Sequence, residues 1–295
     1  MSSGIPLAEN ETEIAVLKEA IEPFMDIFRW CAKFKTDEPV DKDTDFYTEL
    51  ENVISDMPRI GLEETGKVRL MNRTDRKYLA NRNLLLKFLR LTKDEYSILV
   101  ASGSPVSVYS TTYWDTDDHQ FYTRHHNGCR PRTKVRVRTY VDTETTFLEV
   151  KNKDNHNKTR KSRVRLASPE EMNSDDEEMF LEEKAYVSLN DIHPCLRNRF
   201  SRLTLVNKAF TERLTIDFDV NFTNLETQQE AQLGNIVIME LKRSGKSDSP
   251  AFDALIKLRI KPQGFSKYCI GTYLTNPGVK HNKFKKKEVV MRRLG

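Results

Sequence analysis

Alternation of apolar and charged side chains marks the middle of the chain. In "KVRVRTY", Val135, Val137 and Thr139 fall on one side of an extended strand and Lys134, Arg136 and Arg138 on the other. "FLEVKNK" sets Leu148 and Val150 against Glu149, Lys151 and Lys153, and "RKSRVRL" sets Val164 and Leu166 against Lys161, Arg163 and Arg165. Further on, Leu214, Ile216 and Phe218 oppose Arg213, Asp217 and Asp219, while Val237, Met239 and Leu241 oppose Glu240 and Lys242. Together with "PVSVYSTTYWDT" and "RLTLVNKAF", these runs predict a mainly antiparallel β-structure.

Helical spacing appears at the margins. Ile14, Leu17, Ile21, Phe24 and Phe28 give residues 12–34 an amphipathic face with a kink at Pro23, and "KTDEPVDKDTD" after it reads equally as a linker or a surface loop. "NRNLLLKFLRLTKDEYSILV" begins as a helix with Leu85, Phe88 and Leu89 inward. Two more helices open on Ser-Pro: Ser168-Pro169, with Glu171 completing a capping box, and Ser249-Pro250.

At 295 residues the chain suits one large domain with a small appendage. Its longest apolar runs, such as "IVIMEL", fall far short of the roughly 18 residues of a membrane span, and the N-terminus lacks a basic start followed by an apolar core. A cytoplasmic location is the expectation. Cys31, Cys129, Cys195 and Cys269 are dispersed with no C-x-x-C pair, which argues against zinc or redox chemistry. The net charge of +4 averages over opposed segments: Arg130 to Arg165 carries 12 Lys or Arg against 4 Asp or Glu, Glu170 to Glu183 has 8 acids and no base, and the tail "KHNKFKKKEVVMRRLG" is basic again.

Composition alone favours a solvated charged face over an apolar core. Such faces mix signs, however, because like charges opposite one another destabilise a sheet. The first three strands present 8 cations against the single Glu149. Curled into a barrel with the apolar side outward, that face would line a passage for a polyanion, gripped by Arg forks and Lys point charges. Glu240 then has two readings, a holder of a divalent metal between phosphates or an ion-pair partner. Nucleic acid is a weaker partner, since aromatics do not interleave the basic strands. His125 and His126 read as turn or surface residues with rings on opposite faces of a strand. Tyr113, Trp114, Phe121 and Tyr122 read as packing, with stacking on a base as the sharper alternative.

The series "RTDRKYL", "YWDTDDHQFYTRHHNG", "KVRVRTYV", "FLEVKNK", "RLTLVNKAFTERLTIDFDV", "VIMELKR" and "GFSKYCIG" resembles the VTC domain, the polyphosphate polymerase domain of the triphosphate tunnel metalloenzyme superfamily. The resemblance implies an α+β fold, a closed antiparallel β-barrel with helices packed outside. The tunnel domain is set at 46–276 on this resemblance; the N-terminal helical extension and linker at 1–45 and the basic tail at 277–295, expected to be solvated, lie outside it. It also implies ATP and inorganic polyphosphate as partners, with manganese or magnesium as cofactor. Catalytic roles pass to Arg136, Arg138, Lys151, Arg213 and Lys267, and metal binding to Glu240. Phosphate binding passes to Lys77, Lys134, Lys161, Lys208 and Lys242, with Lys158 a competitor for the Lys161 role. Lys208 stands where the eukaryotic catalytic domain has an arginine, and Gly264 where it has a lysine. A tripolyphosphatase or nucleoside triphosphatase of the same fold, or a noncatalytic polyphosphate- or nucleotide-binding module serving a membrane or surface partner, is the rival reading.

Overall fold

The computed structural model describes residues 43–66, 68, 73–156, 158–167, 172, 174–245 and 248–295. The helix expected at 12–34 and the cap at Ser168 to Glu171 lie outside them. Two compact units divide between Tyr47 and Thr48, and the second, Thr48–Gly295, carries the site.

In chain order the elements are α1 (Asp43–Ser55), β1 (Arg59–Ile60), α2 (Leu62–Thr65), β2 (Arg73–Asn81), α3 (Arg82–Thr92), β3 (Tyr96–Leu99), β4 (Val106–Asp115) and α4 (Gln120–Asn127). There follow β5 (Val135–Tyr140), β6 (Thr145–Lys153), β7 (Thr159–Leu166), α5 (Asp175–Ala185), β8 (His193–Asn207), β9 (Glu212–Asn224) and β10 (Glu230–Gln232). The last four are β11 (Ile236–Ser244), α6 (Pro250–Lys257), α7 (Lys267–Thr275) and α8 (Lys285–Leu294).

The strands form one large sheet, antiparallel but for the short β1–β3 pair, whose main path runs β2-β11-β9-β8-β4-β5-β6-β7. In a flat sheet β2 and β6, six places apart, would be separated by about 29 Å at the ~4.8 Å strand spacing. Yet the charge of Lys77 on β2 acts on Lys151 and Lys153 of β6. The sheet therefore curls until its charged faces meet. It does not close into the expected barrel: among the described residues no ladder joins β7 to β2, so the path keeps two edges.

The convex face is the apolar one. Leu85, Phe88 and Leu89 of α3 and Leu255 of α6 are fully buried, with α3 packed on β2 and β11, while α5 lies on β6 and β7 through Leu181. Ser249 caps α6 as its sequence predicts, accepting from Phe252 N at 3.1 Å. The cap of α5 falls at Ser174, which pairs reciprocally with Glu177.

A bulge divides the concave face. The β8–β9 register slips between Arg199 and Ser201, and Asp219 takes a positive φ of 53°. One extra residue reverses the parity of β9. Arg213, Thr215 and Asp217 face inward before it and Val220 and Phe222 after it. The concavity is thus ionic along one part and apolar along the other, where α7 fits against β8 and β9. Gly271 permits that fit, since a Cβ there would sit 2.4 Å from Phe222 Cδ1 and 2.7 Å from Leu196 Cδ2.

The basic tail is not solvated along its length. Phe284, just before α8, and Met291 within it are buried in the main core, while Lys285, Lys286, Arg292 and Arg293 are exposed, so α8 is amphipathic. Among the described residues no helix is long and apolar enough to cross a membrane.

Candidate functional site

Directly opposite pairs in an antiparallel ladder share a face, and the register brings the predicted residues together. Lys77 faces Glu240 across β2–β11, its Nζ donating to Oε1 at 2.5 Å. Lys242 Nζ stands 3.9 Å from the other carboxylate oxygen, and Arg213 faces Lys242 across β9–β11. Burial pushes the Glu240 carboxyl up, but Lys242, Lys77 and Lys151 outweigh it and hold the pKa at about 2. Lys151 faces Lys134 through a reciprocal pair of backbone hydrogen bonds, and Lys161 faces it from β7. Solvent reaches Lys151 inside the concavity. Its confined surroundings nevertheless lower its pKa to about 8 by burial, with Glu240 opposing and Lys77, Lys134 and Arg136 adding to the fall.

A second carboxylate anchors the arginines. Glu149, almost completely buried, accepts from Arg136 Nε at 2.7 Å and pairs with Lys161. Burial opposes its ionisation, yet Arg136, Arg138 and Lys161 hold it at about 2. The lone acid of that face is therefore an ion-pair partner. Arg138 donates from Nε to Thr111 Oγ1 at 3.2 Å, and burial followed by Arg136 lowers it to about 10.

The third centre is Asp217. Arg202 donates to it twice, at 2.5 and 2.8 Å, and Lys267 at the start of α7 binds the same carboxylate. Lys267 also lies 4.1 Å from the Phe200 ring centroid, and burial lowers its pKa to about 8 against the pull of Asp217. Ser266 joins helix to wall, capping α7 at Cys269 N and accepting from Lys134 Nζ at 2.7 Å. Arg202, the first residue of "RLTLVNKAF", carries no site role in the sequence reading, although Arg202 and Thr204 alternate with Leu203 and Leu205 and so share the inward parity.

Other expectations fall differently. Lys208 is exposed in the β8–β9 turn, with no side-chain contact to the cluster among the described residues, and Lys158 lies in the turn before β7. His125 and His126 stand on helix α4, not a strand, because Gly128 at φ 78° terminates a helical turn there. His126 is buried and accepts from Lys283 N at 3.3 Å. Tyr113 stacks on Tyr268 with centroids 4.9 Å apart, and Tyr122 meets Tyr268 edge-on, so both pack the apolar part.

Among the described residues no group of three or more His, Cys, Asp or Glu converges as a metal cage. Glu149 and Asp217 are each bound by an arginine as well as a lysine, whereas Glu240 is paired with two lysines, Lys77 and Lys242. A small, hard divalent ion commonly takes one or two carboxylates and completes its shell with phosphate oxygens and water. The donor set fits a metal brought in with a phosphate ligand rather than one caged by protein.

A single curled sheet with helices on its apolar face and fixed cations on its concave face is consistent with the triphosphate tunnel class. Within that class the chain belongs to the VTC domain family, whose model matches residues 72–276. Proteins of the superfamily generally use divalent metals. Similar solved structures include a protein from Hippeastrum described as having a dominant triphosphatase activity, at 13% identity and TM-score 0.43, covering 70% of this chain and 97% of that one. A Bacillus halodurans protein provisionally called an adenylate cyclase is 15% identical with TM-score 0.42, covering 66% and 96%. An RNA triphosphatase from Schizosaccharomyces pombe is 8% identical with TM-score 0.28, covering 87% and 93%. Comparison with curated proteins gave no match.

Proposed function

We propose that the protein is a metal-dependent polyphosphate polymerase that passes the γ-phosphoryl group of ATP to inorganic polyphosphate in the basic concavity. The observation that carries this reading is the state of the carboxylates. Glu149, Asp217 and Glu240 are all held ionised by adjacent cations, and such groups are poor proton acceptors near neutral pH. A terminal polyphosphate oxygen is already ionised and needs no base, whereas water does.

In this reading Arg136, Arg138, Lys151, Arg213 and Lys267 hold the triphosphate and neutralise charge on the transferring group. Lys77, Lys134, Lys161 and Lys242 bind the flanking phosphates, and Lys208 reaches only a chain that extends past the β8–β9 turn. Glu240 would hold the metal, manganese or magnesium, whose bound charge offsets that on the β and γ oxygens. An acceptor oxygen attacks the γ-phosphorus, the bond to the β,γ-bridging oxygen breaks, and ADP leaves with the electron pair. A cytoplasmic setting, where ATP is supplied, suits the reaction.

The test is incubation of the purified protein with ATP and manganese, with products resolved on a polyphosphate-stained gel and free phosphate measured in parallel. A ladder is the expected product. Free phosphate alone would assign the site to hydrolysis, and retained ATP or polyphosphate with neither product would make it a binding module.

A further inference from the structure

The concavity has a direction. Successive inward pairs on β5 and β6 are Tyr140 with Thr145, Arg138 with Phe147, Arg136 with Glu149 and Lys134 with Lys151. One step further, Arg132 and Lys153 exchange backbone hydrogen bonds of 3.0 and 2.9 Å, which continues the ladder past the end of β5. At two residues per step these pairs recur about every 7 Å.

The two ends differ in chemistry. Beside Arg138, Tyr109 stacks on Phe200 at 5.2 Å and meets Tyr140 at 5.0 Å, while Tyr140 meets Phe147 at 6.0 Å. The other end is cationic and short of acid. Helix α8 packs on β2, and Lys287 lies with its Nζ 5.1 Å from the centroid of the buried Phe284 ring and its charge near Arg132; among the described residues Arg132, Lys153 and Lys287 have no acidic partner. The acids adjoining Lys153 and Lys287 in sequence are engaged elsewhere: Asp154 accepts from Lys158 N at 2.9 Å, and Glu288 binds Tyr273 and Arg292. His125 faces the same cations, and burial with their charge lowers its pKa to about 2. It stays neutral, and its buried Nδ1 has no hydrogen-bond partner.

We propose that Arg132, Lys153 and Lys287 form a second anion subsite, continuous with the first, that holds the polyphosphate chain while the nucleoside end of the donor lies toward Tyr109 and Tyr140. The inference rests on the polymerase reading and adds to it a polarity and three residues. Lys287 lies beyond the matched family range of 72–276, so the C-terminal helix enters the chain-binding path. The occupant is a phosphate chain rather than an acidic peptide because the cations continue, rung by rung, the row beside Glu240. A chain longer than the first subsite meets those cations where it extends along that row.

The test compares two inorganic ligands on the full chain. Tripolyphosphate is short enough to occupy the reacting end alone, whereas a fluorescently end-labelled chain of tens of phosphates reaches both subsites. In R132Q/K153Q/K287Q the long chain should bind at least tenfold more weakly, with a shallower salt dependence, while tripolyphosphate affinity changes less than twofold. Products made from ATP should shorten severalfold. R132K/K153R/K287R, which keeps the charge, should restore long-chain binding. Equal loss of both ligands, loss of neither, or an unchanged product length overturns the subsite while leaving the polymerase reading intact. A wild-type protein that neither forms nor binds polyphosphate removes both together.

Discussion

Glu240 sits between Lys77 and Lys242, so exchanging it for glutamine removes a charge without removing volume. The two lysines then lose their shared counter-ion, and in the proposed reading the metal would lose a carboxylate ligand. Under the proposed function, Glu240→Gln should lower metal-dependent turnover by about 10²-fold or more, on the scale of losing one preorganised electrostatic contact. Steady-state ADP release at saturating manganese measures it, and wild-type turnover would remove Glu240 from the mechanism. The lysines give a pH signature. Lys134, Lys151 and Lys267 fall to about 8 in the free protein, below the ~10.4 of an unfolded lysine. Between those values the unfolded chain binds more protons, so their penalty on folding is present in full below pH 8 and lifts as pH rises. Triphosphate affinity should move the opposite way, weakening above pH 8 as the lysines lose charge, with proton uptake on binding. Calorimetry at pH 8.5 in buffers of different ionisation heat reads that uptake, and a buffer-independent heat would contradict it. For the acids the sign reverses: Glu149 and Glu240, at about 2 against ~4.3 unfolded, support the fold above pH 4.3 and lose that contribution as pH falls through 2.

Among the elements, strands were the most legible in sequence, because a period of two separates Val135 and Val137 from Arg136 and Arg138 whatever the tertiary setting. Sequence parity also placed Glu240 and Lys242 on one face with Arg213. Helices α4, α7 and α8 were less legible, each for its own reason. In α7, "KYCIGTYLT" is rich in aromatic and β-branched residues and contains Gly271, all poor helix formers. Its helical form follows from the Ser266 cap and from burial against Phe222 and Leu196, which local propensity does not report. At the C-terminus, the Lys and Arg run hides Met291 of α8 and Phe284, which precedes it. Arg202 and Asp217 required the long-range β8–β9 pairing before they could be recognised as one unit. Gly271 yields an element-scale prediction: Gly271→Ala overfills the contact and should cost about 1–3 kcal/mol of stability. Because Lys267 begins the same helix, turnover should fall as well. Thermal melts with kinetics on the folded fraction separate the two effects, and an unchanged melting temperature would show that the α7 contact yields more readily than its geometry indicates.

For the molecule as a whole, the C-terminal helix belongs to the compact unit that carries the site. Met291 is 6% exposed and lies in the same core as Ile238 and Tyr268, so Met291→Ala should destabilise the unit by about 2 kcal/mol or more. Denaturant titration of the full chain tests this, and a loss below about 0.5 kcal/mol would mark α8 as peripheral. Closure of the barrel is the whole-molecule property that parity could not decide, since it depends on strand number, tilt and stagger together. Among the described residues the strand path ends at β2 and β7 without a shared ladder. In topological terms the hydrogen-bonded backbone is a rolled ribbon with a seam rather than a ring. A polymer grown inside a ring is threaded, and it can leave only by sliding out end-first. Under the proposed function, a chain grown inside a ribbon is not interlocked with the hydrogen-bonded backbone, and it is free to part from it sideways as well as end-first.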